Sequence, residues 1–124
     1  MRIISSRLVQ LAACAAFVAI STPLGAAPAT VKGEVVDQAC YTKDHANVGE
    51  KHKDCGLSCA KKGGKLALVT ADGQVYSIVG AYTENKNAKL LESNLFGVPV
   101  EATGEVTDKD GGKQIDVSAL KKAS

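Results

Sequence analysis

The chain has 124 residues, a formal net charge of +2 at pH 7, four cysteines, two histidines and no tryptophan. Both arginines, Arg2 and Arg7, stand at the N-terminus, and beyond them lysines and carboxylates balance. No basic surface is then left for nucleic acid or an anionic membrane, and the sparse aromatics beyond Phe17, namely Tyr41, Tyr76, Tyr82 and Phe96, argue against a platform for stacked bases.

The N-terminus reads as an export signal. Met1–Arg7 is basic and lacks acids, and Leu8–Ile20 is an apolar run too short for a membrane span, which needs about 20 residues. Ala27-Pro28-Ala29 fits an A-x-A cleavage site, so residues 1–29 form a signal peptide and residues 30–124 a single domain. A rival reading takes Leu11-Ala12-Ala13-Cys14 as a lipoprotein box, but the apolar run continues past Cys14 where a polar tether is expected. The expected location is periplasmic or secreted, with no stable membrane insertion after cleavage.

Val31–Asp37 is rich in β-formers, with Val31, Gly33 and Val35 on one face; Val36 breaks the alternation. Leu66–Thr70 and Gln74–Val79 flank Ala71-Asp72-Gly73, and Asp-Gly between two β-rich runs predicts a tight hairpin. Val98–Thr107 alternates, with Val98, Val100, Ala102, Gly104 and Val106 facing one way and Pro99 suited to a strand start. Asp108–Lys113 predicts a turn; it has two acids of a calcium loop but lacks the other ligands and the terminal Glu. Gln114–Leu120 alternates again, with Ile115, Val117 and Ala119 inward.

Two stretches read as helical. Asn87–Phe96 carries Ala88, Leu91 and Leu95 at helical spacing, with Gly97 as its stop. A second, short helix runs from near His52, with Asp54 as a candidate cap, to Lys61-Lys62, where Gly63-Gly64 ends it. Five strands, with a helix between the third and fourth and an insert between the first two, is the order of an OB-fold, a small Greek-key barrel. An SH3-like barrel or a meander with a packed helix also fits. The fold class is therefore mainly β, an OB-like barrel with a short Cys-bearing helix in its first insert.

That insert holds the most specific pattern in the chain: Cys40-x4-His45-x6-His52-x2-Cys55-x3-Cys59. It contains every cysteine beyond the leader and both histidines. A helix from His52 places His52, Cys55 and Cys59 at i, i+3 and i+7, on one face. Cys40 and His45 arrive from the preceding loop. Three sulfurs with one or two imidazoles have the ligand count of a Cys3His zinc site, and thiolates also suit copper; His52 is the better imidazole and His45 the spare. No C-x2-C knuckle of the usual structural zinc site is present, and Gly56 weakens the helix by about 1 kcal/mol relative to Ala.

The competing reading is a disulfide, since small exported domains commonly staple themselves. Cys55 and Cys59 on one regular helix are poorly placed to bond to each other, so Cys40 pairs with Cys55 or with Cys59 and one thiol is left over. Lys51-His52-Lys53 also reads as a solvated face. A redox-active pair is the weakest option because no C-x-x-C exists. No Ser-centred elbow, phosphate loop or paired-carboxylate motif occurs, so no catalytic residue and no organic cofactor site is identified.

Gly33-Glu34-Val35-Val36-Asp37-Gln38-Ala39-Cys40, Cys55-x3-Cys59 with Lys61-Lys62-Gly63, Asp72-Gly73-Gln74-Val75-Tyr76 and Val100-x3-Gly104 together resemble a group of small secreted bacterial proteins of largely unknown function. The resemblance runs from about Val31 to Leu120, with a mild departure at Val100-Glu101-Ala102-Thr103-Gly104. It implies export and a small β-barrel and supplies no reaction. The chain is more distantly similar to bacterial periplasmic OB-fold proteins of the stress-induced type, which lack this cysteine arrangement. The functional expectation is an exported binding module whose insert holds zinc or copper, its partner a small ligand or an envelope protein. The alternative is a disulfide-stapled structural or envelope-interaction domain without metal or catalysis.

Overall fold

A computed structural model describes residues 28–124. The export signal therefore lies outside the described residues, except that Pro28 and Ala29 open the first strand. Among the described residues no helix is long and apolar enough to cross a membrane.

Five strands form one sheet: β1 (Pro28–Asp37), β2 (Leu66–Val69), β3 (Val75–Val79), β4 (Pro99–Lys109) and β5 (Gly112–Lys122). The hydrogen-bonded order β1-β2-β3-β5-β4 returns to β1, so the sheet closes into a ring. All neighbours are antiparallel except β3 and β5, which run parallel. Among the described residues the three α-helices are α1 (Gln38–Lys43), α2 (Glu50–Lys61) and α3 (Glu84–Ser93). The first two fill the β1–β2 connection and the third lies between β3 and β4.

The two hairpins form where the turn residues stand. In the β2–β3 turn, Thr70 N–H donates to Gln74 O (2.9 Å) and Gly73 N–H to Thr70 O (3.0 Å). Asp108–Lys113 is a turn as expected. Asp110 (φ 51°) and Gly111 (φ 77°) are both left-handed, as a two-residue turn matched to the strand twist requires, and Lys109 pairs with Gly112.

Inward alternation builds the core. Val35, Leu66, Leu68, Ile78, Val100, Ala102, Ile115 and Val117 pack with Ala60, Tyr82, Leu90 and Phe96 from the helices and loops. The opposite face of β1 and β2 is buried too: Val36, Ala67 and Val69 pack under Tyr41 of α1. Val36 breaks the alternation of β1 because both faces of that strand end are covered.

Three local expectations are corrected. Ala119 is exposed and Leu120 turns inward instead, because the register slips by one residue between Thr103 and Gly104. Ser118 is the extra residue, and a bulge reverses which side chains face in beyond it. Helix α3 ends at Asn94, left-handed at φ 54°, rather than running to Gly97, which frees Phe96 to enter the core. Its start is also irregular: Asn85, Lys86 and Asn87 have φ of 52°, 56° and 62°, so the regular helix follows them. Asn87 is held there because its buried Nδ2 donates to Ala60 O (2.9 Å) and Gly64 O (3.0 Å). Finally, Cys40 lies on a helix rather than in a loop. The Asp37 carboxylate caps α1 by accepting from Cys40 N–H (2.8 Å).

Candidate metal centre

The centre is assembled from the two helices of the β1–β2 connection. Helix α1 starts at the end of β1, where Asp37 caps it, and Gln38 N–H donates to Lys65 O (2.9 Å). These ties fix the height of Cys40. The Cys40 carbonyl accepts from Asp44 N–H (3.0 Å) and from Asn47 Nδ2 (2.9 Å), which turns the chain toward α2.

Helix α2 begins at Glu50, near His52 as expected, but Gly49 is its N-cap, with no side-chain cap, and Asp54 lies inside the helix rather than capping it. The Lys61-Lys62-Gly63 stop does fall at its C-terminal end: Lys62 is the cap residue and Gly63 is left-handed at φ 85°. Gly64 N–H donates to Cys59 O (3.0 Å), and a Cβ on Gly64 would lie 3.1 Å from Asp37 Oδ2. The helix end is thereby seated against the residue that caps α1.

The result is a meeting of three sulfurs. The Sγ atoms of Cys40, Cys55 and Cys59 all lie within 4.8 Å of one another. Cys55 is exposed, and Cys40 and Cys59 are partly buried. All three are free thiols. The expected disulfide of Cys40 with Cys55 or Cys59 is therefore not formed; instead Cys40 lies close to both. Cys55 and Cys59 stand one helical turn apart, which puts both on the side of α2 that faces Cys40.

The Asp37 carboxylate is the strongest influence on Cys40. By accepting a hydrogen bond from the thiol it pushes Cys40 up from 9.0 to about 12, with burial, the charge of Asp37 and the charges of Cys59 and Cys55 adding to the effect. Without a cation, the Asp37 carboxylate and the two neighbouring sulfurs disfavour a negative charge on Cys40.

Neither histidine belongs to the three-sulfur group. His45 is exposed and stacks on Tyr41, ring centroids 4.5 Å apart and planes 9° from parallel. It lines a cleft of about 490 Å³ together with Gly33, Val69 and Val100, and no cysteine lines that cleft. His52 is buried with Gly56 and Ala60 rather than solvated between its lysines, and its Nε2 has no hydrogen-bond partner. The residue that spacing alone leaves out is Asp37. Its signal is present as Asp-x-x-Cys, an acid three residues ahead of a helical N–H.

Compared with protein-family models, curated proteins and solved structures, the chain matches none.

Proposed function

We propose that this chain is an exported, OB-like module that binds a thiophilic transition metal through Cys40, Cys55 and Cys59. The observation that carries the reading is the convergence of three free sulfurs from two separate helices to within 4.8 Å. Zinc–sulfur bonds are about 2.3 Å long and tetrahedral, so sulfurs sharing one ion stand about 3.8 Å apart and these need draw in by about 1 Å at most. The ring order β1-β2-β3-β5-β4 with a helix between β3 and β4 supports the OB-like assignment. The N-terminal basic and apolar pattern supports export.

The test is a metal titration of the reduced, metal-free protein with zinc and with copper. The reading predicts one equivalent bound with submicromolar affinity. It also predicts loss of that affinity by more than a hundredfold when Cys40, Cys55 and Cys59 are all replaced by Ser. No binding by the native protein, or undiminished binding by the triple variant, refutes it. A disulfide between Cys40 and one helix cysteine in protein isolated from its native compartment, with no metal bound, supports the stapled alternative instead.

A further inference from the structure

We infer that the centre is a three-coordinate, all-sulfur site for Cu(I), open to exchange on the Cys55 side. The inference rests on the metal-site reading above and adds ion, coordination number and route.

Among the described residues the convergent group contains three sulfurs and no imidazole or carboxylate that meets the same mutual distance. Structural zinc sites are almost always four-coordinate and iron–sulfur clusters usually take four cysteines, so both fall one protein ligand short, and zinc here would have to keep a water in its fourth position. Soft thiolates suit Cu(I), and three of them complete a trigonal shell without a fourth group. Neither histidine belongs to that group, and the buried His52 Nε2 has no hydrogen-bond partner. His45 is stacked on Tyr41, and His52 is turned in with Gly56 and Ala60 on the buried side of α2.

The exposure pattern sets the route. Cys40 and Cys59 are partly buried, whereas Cys55 is exposed. The Cys55 corner of the sulfur triangle therefore faces solvent, where an incoming thiol or thioether ligand can bond to the metal before a protein sulfur leaves. Loading is a ligand exchange without redox change: the three thiols release three protons to solvent, three metal–sulfur bonds form, and copper stays at +1. This is the behaviour of a carrier that receives and passes on a soft ion, rather than of a buried structural clasp.

The experiment uses the reduced, full-length protein under anaerobic conditions, with Cu(I) and Zn(II) supplied separately in competition with chromophoric chelators. X-ray absorption is recorded on each loaded form. The expected result is one Cu(I) with a three-sulfur, nitrogen-free shell, held at least a thousandfold more tightly than Zn(II). Removal of copper should accelerate in proportion to the concentration of a competing small thiol, as attack on the open Cys55 side requires. His52→Gln and His45→Gln, each checked for folding, should leave the copper affinity within threefold. A nitrogen in the copper shell, or zinc held as tightly as copper, overturns the three-coordinate Cu(I) inference while the metal-site reading survives. A removal rate independent of competitor concentration overturns the exchange route. Failure to bind either metal removes both readings.

Discussion

The Phe96 ring occupies the space that a side chain on Gly56 would need: a Cβ at Gly56 would collide with the ring edge. Phe96 is buried in the core and its backbone bridges to Val35 of β1. The contact seats helix α2 on the strand ring, and with it Cys55 and Cys59. A glycine that reads as a weak point in a helix is the position that lets the helix approach.

Gly56→Ala should therefore destabilise the protein, although the substitution favours an isolated helix by about 1 kcal/mol. Overpacking against a buried ring costs about 1–3 kcal/mol, so the net change in urea unfolding should be a loss. Trimming the ring with Phe96→Leu in the Gly56→Ala background should cost less than Phe96→Leu alone. A more stable Gly56→Ala protein would refute the packing argument.

Asn87 ties the start of α3 to the end of α2 through two donated hydrogen bonds. Asn87→Asp keeps the shape but replaces the donor by an oxygen facing two carbonyl oxygens. The expected loss is above about 2 kcal/mol, since a buried polar group left unsatisfied costs about 1–3 kcal/mol and a charged one more. Denaturant midpoints at neutral pH check this. Native stability in the Asn87→Asp variant would mean that the Asn side chain does not carry the link.

Thiol reactivity should follow exposure and the Asp37 effect. In metal-free protein at pH 8, iodoacetamide should modify exposed Cys55 first and Cys40 last. Raising Cys40 from 9.0 to about 12 cuts its thiolate fraction by about a thousandfold at that pH. Asp37→Asn keeps an oxygen to cap α1 but removes the charge, so Cys40 labelling should accelerate by at least tenfold. The sign for stability follows the same shift. The folded form holds the Cys40 proton more tightly, so this contribution is complete below pH 9 and declines as pH rises toward 12. Peptide mapping of the labelled cysteines reads the order directly.

Glu101 sits between Lys32 of β1 (3.4 Å) and Lys121 of β5 (3.2 Å), linking three adjacent strands. Lys121 first, then Lys32, holds its carboxyl below the usual range. A depressed carboxyl contributes stability above the ordinary Glu range and loses it as pH falls through the folded value. Replacing Glu101 by Gln should flatten the acid side of the Tm–pH profile below about pH 5 and change little in high salt, because exposed pairs are weak and screened. An unchanged acid limb would contradict the assignment.

The strands and both turns are legible in the sequence because their signals are local. Asp72-Gly73 and Asp110-Gly111 fix the hairpins, and the inward run Val100, Ala102, Gly104 survives in β4. The outward turn of Ala119 is not legible, because the bulge at Ser118 depends on the facing strand; a Cβ on Gly104 would collide with the Asp116 carbonyl beside it. Nor is the burial of His52, whose flanking lysines look solvated, while Phe96 packing against the Gly56 side of α2 turns that face inward. The cysteines are legible as a cluster but not as a trio. Spacing puts Cys40 in a loop, and only the Asp37 cap at the end of β1 sets it on a helix beside α2. The choice of three sulfurs over sulfur plus imidazole is tertiary information.

A shared metal centre is tested most directly by protection of Cys40, Cys55 and Cys59 from alkylation, read residue by residue by mass spectrometry on reduced protein with and without one equivalent of Cu(I). All three should be labelled in the unfolded metal-free chain, and all three should be protected together in the folded, loaded protein. Protection of one or two, or labelling that copper does not change, would contradict a shared centre.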